Sequence, residues 1–170
     1  MKKLMLVAMM LLGFAAMSYA QNSNNSTATI NAYIEKGLTI SVSNSTLNLG
    51  NLVAGITPAP VSPLTSGVPA FTVTGDGGHQ VNVTFDASVM LYKSAPNADS
   101  ISFTTNFEGN STGTQSGAGS ISSPVTLSGV SPAAGNYYMW LGGQLTDGAG
   151  IPAAQTPGSY TGTFHVSISY

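Results

Sequence analysis

The alternation of residue types over residues 160–170 constrains the fold of this chain more than any other feature. A period of two indicates a β-strand that is buried on one face, and Pro157-Gly158 predicts a turn before it. We predict a closing strand that is either central to a sheet or an edge offered to another chain. Its apolar face would carry Tyr160, Gly162, Phe164, Val166, Ile168 and Tyr170.

The same alternation recurs along the chain, separated by Gly, Pro, Asn and Ser residues that favour turns. Four prolines in residues 57–69 exclude a central strand and predict a surface crossover. Residues 75–78 (GDGG) predict a hairpin turn. No stretch has a helical period, so we predict an all-β fold, an immunoglobulin-like, pilin-like β-sandwich. The predicted strands cover residues 27–34, 38–42, 47–55, 70–74, 79–86, 89–92, 101–107, 125–127 and 136–145.

The first stretch of the chain has the three-part pattern of a bacterial secretory signal peptide. Lys2-Lys3 precedes an apolar run over residues 4–17, and residues 18–20 (SYA) form a small-x-small cleavage site. We predict a cleaved signal peptide over residues 1–20 and one sandwich domain over residues 21–170. The product would be exported to the periplasm, the outer cell surface or the medium. Because the chain has no cysteine, the exported domain must be stable without disulfides, which favours a full-size sandwich.

Charged residues are scarce, which narrows the range of partners. The chain has no arginine, and Lys36 and Lys93 are the only cations after the predicted signal peptide. Binding to phosphate backbones needs several Lys or Arg side chains, so nucleic acid is excluded and anionic membrane surfaces are disfavoured. No further apolar run approaches the roughly 20 residues of a spanning helix. The mature chain is therefore predicted to have no transmembrane segment.

Three groups of motifs resemble a known family, the secreted bacterial domain of unknown function 4402. They are residues 47–50 (LNLG) with Gly55, residues 70–75 (AFTVTG) with Val81 and Val83, and residues 141–145 (LGGQL) with residues 157–166 (PGSYTGTFHV). That family is similar in pattern to the immunoglobulin-like subunits of fimbriae and spore coats. The resemblance covers the mature chain and implies a surface or pilin-like structural subunit. It implies no active-site residues.

The residues that could carry enzyme or metal chemistry are few. Ser and Thr nucleophiles need a histidine held by a carboxylate, and strand alternation places His79 and His165 at the surface. Asp76 and Asp147 each stand in an Asp-Gly turn, which offers one carboxylate where a calcium loop needs several oxygen ligands. The sequence therefore predicts no catalytic residues, no metal ligands and no cofactor.

Two stretches are candidates for assembly. The candidate assembly strand consists of Ala28, Ile30, Ala32 and Ile34, which alternate as a strand added to a neighbouring sheet must. It could equally pair within its own domain. We expect the closing strand to be central and fully paired, and to form the floor of a groove beside residues 28–34. The candidate groove residues are Tyr160, Phe164, Val166, Ile168 and Tyr170.

These patterns favour a structural role. We predict a secreted or cell-surface protein, a fimbria-like, pilus-like or surface-layer subunit that pairs with identical or related subunits through strand edges. One alternative is a monomeric extracellular module that binds a glycan or protein ligand through the candidate surface aromatics Tyr138 and Trp140, although large side chains in strands are more often buried. The other alternative is a small outer-membrane-associated β-protein.

Overall fold

The computed structural model describes residues 32, 34–93, 99–145 and 150–170. The chain divides into two units, Met1–Ile34 and Glu35–Tyr170, and the fold below is that of the second unit. The predicted signal peptide lies outside the described residues. Within the described ranges, no helix has the length and apolar character needed to cross a membrane.

The described residues form nine strands, and nearly all the regular structure is β. The strands are β1 Thr39–Ser43, β2 Ala70–Asp76, β3 Gln80–Phe85, β4 Ser88–Tyr92, β5 Ser100–Asn110, β6 Gly119–Ser120, β7 Val125–Thr126, β8 Ala134–Leu145 and β9 Val166–Ser169. A single short 3₁₀ turn, Gln115–Gly117, precedes β6.

The strands make two antiparallel sheets. The first has the order β1-β2-β8-β5-β4, with β6 also pairing with β5, and the second has the order β7-β3-β9. Side chains on successive strand residues point to opposite faces, so each sheet presents one apolar face. The predicted all-β sandwich is confirmed.

The main core brings together side chains from both sheets. Its most buried members are Val73 of β2, Val81 of β3 and Met139 of β8, each with no exposed area. Burying one such side chain stabilises the fold by roughly 1.5–3 kcal/mol. The full set of buried residues in this cluster is Val73, Val81, Val83, Phe107, Val125, Leu127, Met139 and Leu141.

A second, smaller core lies where β5 begins and β8 ends. Its buried residues are Ile101, Phe103, Leu145 and Ile151. Leu47 and Leu49 pack against it from a stretch without strand structure. The predicted strand over residues 47–55 is therefore wrong.

Local backbone geometry explains why residues 47–55 are not a strand. Asn44 and Gly50 have φ values of 51° and 71°, in the left-handed region that strands do not use. The Asn48 side chain also accepts a hydrogen bond from Gly50 N–H at 2.9 Å, which is a local turn interaction. The leucines still reach the core, so their apolar pattern reports burial rather than strand pairing.

The turn over residues 75–78 is not a hairpin, which corrects the prediction. The strands on either side of it, β2 and β3, belong to different sheets. The turn carries the chain from one layer to the other, and its amides are satisfied by neighbouring segments. Gly77 N–H donates to Ala133 O at 2.9 Å, and Gly78 N–H donates to Leu127 O at 3.1 Å.

Candidate strand-accepting slot

The closing segment is divided between the two sheets. Only Val166–Ser169 is a strand, paired with β3 of the second sheet. Farther back, Thr161 exchanges two backbone hydrogen bonds with Tyr92 of β4, at 2.8 and 3.0 Å, at the edge of the first sheet. The single strand predicted over residues 160–170 is thus two short pieces.

Within the described residues, strand β9 lies at the edge of its sheet. Its only strand partner there is β3, so one side of its backbone is unpaired among these residues. The expectation that the closing strand is central and fully paired is not met among the described residues, and its pairing with residues 28–34 stays a prediction. A strand that is paired on one side can form the wall of a groove, whereas a central strand would form the floor.

Both ends of β9 are held in place. At its start, Asp86 Oδ2 accepts the N–H of His165 at 2.8 Å and lies 2.9 Å from the His165 Nδ1 atom. These hydrogen bonds, the backbone one first, lower the pKa of Asp86. At its end, the Tyr170 hydroxyl accepts Asp76 N–H and donates to Lys36 O, both at 2.8 Å. We call this second arrangement the Tyr170 clasp.

Strand β1 is the corresponding edge of the first sheet. Ile40 is paired with Val73, and Val42 is paired with Phe71. Paired residues share a face, so Ile40 and Val42 point toward the core. They nevertheless remain 37% and 49% exposed, because nothing among the described residues covers the inner face of β1.

The two edges lie on the same side of the sandwich. Phe71 of β2 packs against Phe164, which precedes β9, with ring centroids 5.9 Å apart. This contact places the start of the closing strand near β2. From the strand orders we infer that β1 extends past β9, and that an uncovered channel, which we call the slot, lies beside β9 and faces β1. We assign to it Ile40 and Val42, which remain partly exposed, and Phe164, Val166 and Ile168, which also pack against the main core.

The two ends of the slot differ. The Tyr170 clasp closes one end, where Leu38 also packs into the core. At the other end, Phe164 belongs to a group of four rings with Phe71, Phe85 and Phe107, with centroids 5.1–6.5 Å apart. Phe85 is 37% exposed, so this end is apolar and open to solvent.

Four of the predicted groove residues lie along the end of the chain that β9 occupies. Phe164, Val166 and Ile168 pack against the main core, and the Tyr170 hydroxyl bonds to the backbone at Asp76 and Lys36. Their role in a groove stays a prediction. Tyr160 lies elsewhere, packed on the second core. The sequence did not identify Ile40 and Val42 as part of the site, although their alternation indicated a strand. The signal that could have found them is their position directly after the candidate assembly strand.

The candidate assembly strand belongs to the first unit of the chain. Ala28 and Ile30 lie outside the described residues. Ala32 and Ile34 are described, are exposed and have no regular secondary structure. Their pairing, within the domain or with another copy, stays a prediction.

The predicted surface aromatics are not a pair of exposed rings, which corrects that expectation. Trp140 is only 7% exposed. Tyr138 is half-buried, and its ring lies against Gly113, where an added Cβ would come within 3.1 Å of it. A platform that stacks on sugar rings needs open aromatic faces, so these two residues do not supply one.

A network around Asp99 fixes the chain that leads into the closing segment. Asp99 Oδ2 accepts Thr156 N–H at 2.8 Å and lies 2.8 Å from the Tyr160 hydroxyl. Gln155 Nε2 donates to Asp99 Oδ1 at 2.7 Å. Hydrogen bonds from Thr156, and then that from Tyr160, lower the pKa of Asp99 from 3.8 to about 2.

The network predicts a specific acid sensitivity. Because folding lowers the pKa of Asp99, its contribution to stability is complete above the unfolded value of about 3.9 and disappears as the pH falls toward about 2. Asp99→Asn should lower the melting temperature near neutral pH and reduce its fall between about pH 6 and pH 2.5. Thermal unfolding monitored by circular dichroism measures both effects. Glu108→Gln is the control, and equal acid sensitivity of Asp99→Asn and the parent would contradict the prediction.

The described residues show little that could hold a small ligand or an ion. A crevice near Leu52, Pro58 and Phe103 encloses about 20 Å³, which is room for about one water molecule. In the part of the chain that the structure describes, no three His, Asp or Glu side chains gather as metal ligands would.

The described residues define a class of protein: an all-β sandwich in which β1 and β9 each lie at the edge of a sheet. Residues 34–170 match the family model called domain of unknown function, DUF4402, and the chain belongs to that family. No curated protein matches the chain.

Proposed function

We propose that this protein is an exported structural subunit of the cell surface, fimbria-like, pilus-like or from a surface layer, and that it assembles through its β-strand edges. The observation that carries the proposal is the slot. Ile40 and Val42 face inward from β1 and are 37% and 49% exposed. By contrast, the inward-facing Val73 of β2 and Met139 of β8 have no exposed area.

The composition of the two edges supports assembly. Proteins commonly protect edge strands with charged residues, proline or bulges, because an open edge pairs with other chains. Strand β1 reads TISVS and strand β9 reads VSIS, so neither has a charge or a proline. These edges are chemically suited to accept another strand.

The overall charge is compatible with close packing of many copies. Only 6% of the residues of the full chain are charged, and after the predicted signal peptide two lysines stand against six acidic residues. Mutual repulsion between copies is therefore small. The predicted signal peptide supports export, and the absence of cysteine makes the assembly independent of disulfide formation.

A charge placed in the slot tests the proposal. Val42→Lys points an ammonium group into the channel, where a bound strand would have to bury it, so polymer should be reduced at least about tenfold. Ser41→Lys is the matched control, because Ser41 lies on the opposite face of β1, with its hydroxyl on Thr72 O at 3.5 Å. Polymer in material released from cells is measured by sedimentation and electron microscopy.

The folded state of each variant is checked by thermal unfolding. Val42→Lys should melt close to the parent, since Val42 is already half exposed. The proposal would fail if the parent were monomeric under all conditions, or if Val42→Lys and Ser41→Lys polymerised equally well.

A further inference from the structure

We propose that the slot accepts residues 27–34 of a second copy of this chain, as an added strand beside β9. This inference rests on the proposed function and names the partner of its site. Three properties of the slot select the occupant: its length, its apolar lining and its lack of charge.

The length of the slot sets the size of the occupant. Strand β1 has five residues and β9 has four, and a strand rises about 3.3 Å per residue. An occupant of about five to eight extended residues would cover the inner face of β1 from the Tyr170 clasp to the open ring cluster. Residues 27–34 are of this length.

The lining of the slot sets the pattern of the occupant. A strand added to the second sheet would point every second side chain inward, toward Ile40 and Val42. The segment 27–34 reads TATINAYI, with Ala or Ile at each even position. Its other face carries Thr27, Thr29, Asn31 and Tyr33, which suit an outer surface.

The lack of charge removes one common obstacle. Residues 27–34 contain no charged side chain, and neither do β1 and β9. No ion pair has to be desolvated for the segment to enter, and main-chain hydrogen bonds along β9 would supply affinity in the manner of strand addition. The alternation of Ala and Ile would then set the register by shape.

The exposure of Ile34, the last residue of the segment, indicates that this end is available to another copy. Ile34 is 90% exposed, a high value for an isoleucine in an alternating apolar pattern. The segment and the slot are different surfaces of one chain. A contact between such surfaces is head-to-tail, and it generates open filaments when the rotation does not close a ring.

The competing possibility is that residues 27–34 occupy the slot of their own chain. Four residues, 35–38, join it to β1, and the Lys36 carbonyl is held by the Tyr170 hydroxyl at 2.8 Å. The experiment must therefore separate pairing between copies from pairing within one copy.

Engineered disulfides make that separation, because the chain has no cysteine of its own. One full-length chain carries Asn31→Cys and a second carries Ser167→Cys, on the outer faces of the segment and of β9. The two are co-expressed and exported, oxidised, and examined by non-reducing electrophoresis. Thr29→Cys and Tyr33→Cys replace Asn31→Cys to allow for register, since neighbouring cysteines link only at short Cβ separations.

The matched control uses the other edge of the same sheet. Thr126→Cys lies on β7 and is exposed, but it faces away from the slot. We expect the mixed dimer with Ser167→Cys to exceed that with Thr126→Cys at least about tenfold for one of the three segment positions. Ile30→Lys should abolish this excess, because it places a charge on the inward face of the segment.

The other outcomes are also decisive. A disulfide that forms only within single chains carrying both cysteines would overturn the inference in favour of self-occupancy. Polymers that persist in Ile30→Lys, with no preference for Ser167→Cys, would leave the proposed function standing and reject this partner. Absence of any polymer or mixed dimer would reject both.

Discussion

Replacing Gly143 by alanine is expected to destabilise the protein by more than about 4 kcal/mol, which exceeds the effect of most single substitutions. Gly143 lies in β8 with a φ of 146°, a conformation that residues with a Cβ rarely adopt. An added Cβ would collide with the Thr104 carbonyl oxygen and lie 2.7 Å from Phe103 Cζ. The backbone atom cannot move aside without breaking the pairing of β5 with β8.

The effect would propagate because Gly143 is paired on both sides of β8. It pairs with Thr105 of β5 and exchanges two backbone hydrogen bonds with Val61, each of 2.8 Å. Phe103, which would have to shift, is only 4% exposed in the second core. Domains have about 5–15 kcal/mol of stability in all, so the variant should lose a large share of its stability.

Urea unfolding followed by tryptophan fluorescence measures the change, since the chain has one tryptophan and it is buried. Gly119→Ala is the matched control, because Gly119 is exposed in β6 and an added Cβ there would meet nothing within 4 Å. It should change stability by less than about 1 kcal/mol. If Gly143→Ala were equally mild, the strand pairing around Gly143 would be wrong.

Much of this fold is predictable from the alternation of side chains. The stretches around Val73 and Val83 alternate, and each is a strand with those residues in the core. The pattern works where a strand buries one face, because the burial period then equals the strand period. Strand β8 is buried on both faces from Met139 to Gly143 and does not alternate. The four prolines of residues 57–69 likewise excluded a central strand, and the only pairing there is the isolated bridge between Val61 and Gly143.

The wrong strand and turn predictions occur where a local sequence pattern does not determine which segments pair. Leu47 and Leu49 alternate like strand residues but reach the second core from an irregular segment. The turn at residues 75–78 has hairpin chemistry, yet it joins different sheets. A local pattern specifies which residues are buried, whereas the choice of neighbouring strand depends on contacts distant in sequence.

The slot shows the same limit. The sequence marked Phe164, Val166 and Ile168 as groove residues. The structure packs them against the main core, and their part in a groove stays a prediction. The exposure of Ile40 and Val42 could not be found from their alternation, because a covered strand and an uncovered strand have the same pattern. That exposure on β1 is the basis of the proposed function.

Tyr170→Phe is expected to loosen the closed end of the slot and to cost about 1–3 kcal/mol of stability, the usual penalty when a buried donor loses its acceptor. The hydroxyl accepts Asp76 N–H and donates to Lys36 O, both at 2.8 Å. The side chain of Asp76 has no exposed area, so water cannot easily replace the lost acceptor. The phenyl ring that remains keeps its edge contact with His79, whose ring centroid lies 6.4 Å away.

Hydrogen exchange distinguishes this effect from a general loss of stability. The amide of Asp76 should exchange faster in Tyr170→Phe by more than the change in global stability accounts for, because local opening near the clasp becomes easier. Ser169→Ala is the control, since it alters the neighbouring exposed residue of β9 and leaves the clasp intact. Unchanged exchange at Asp76, with unchanged stability, would show that the Tyr170 hydroxyl does not hold the two edges together. The slot would then need another closure at that end.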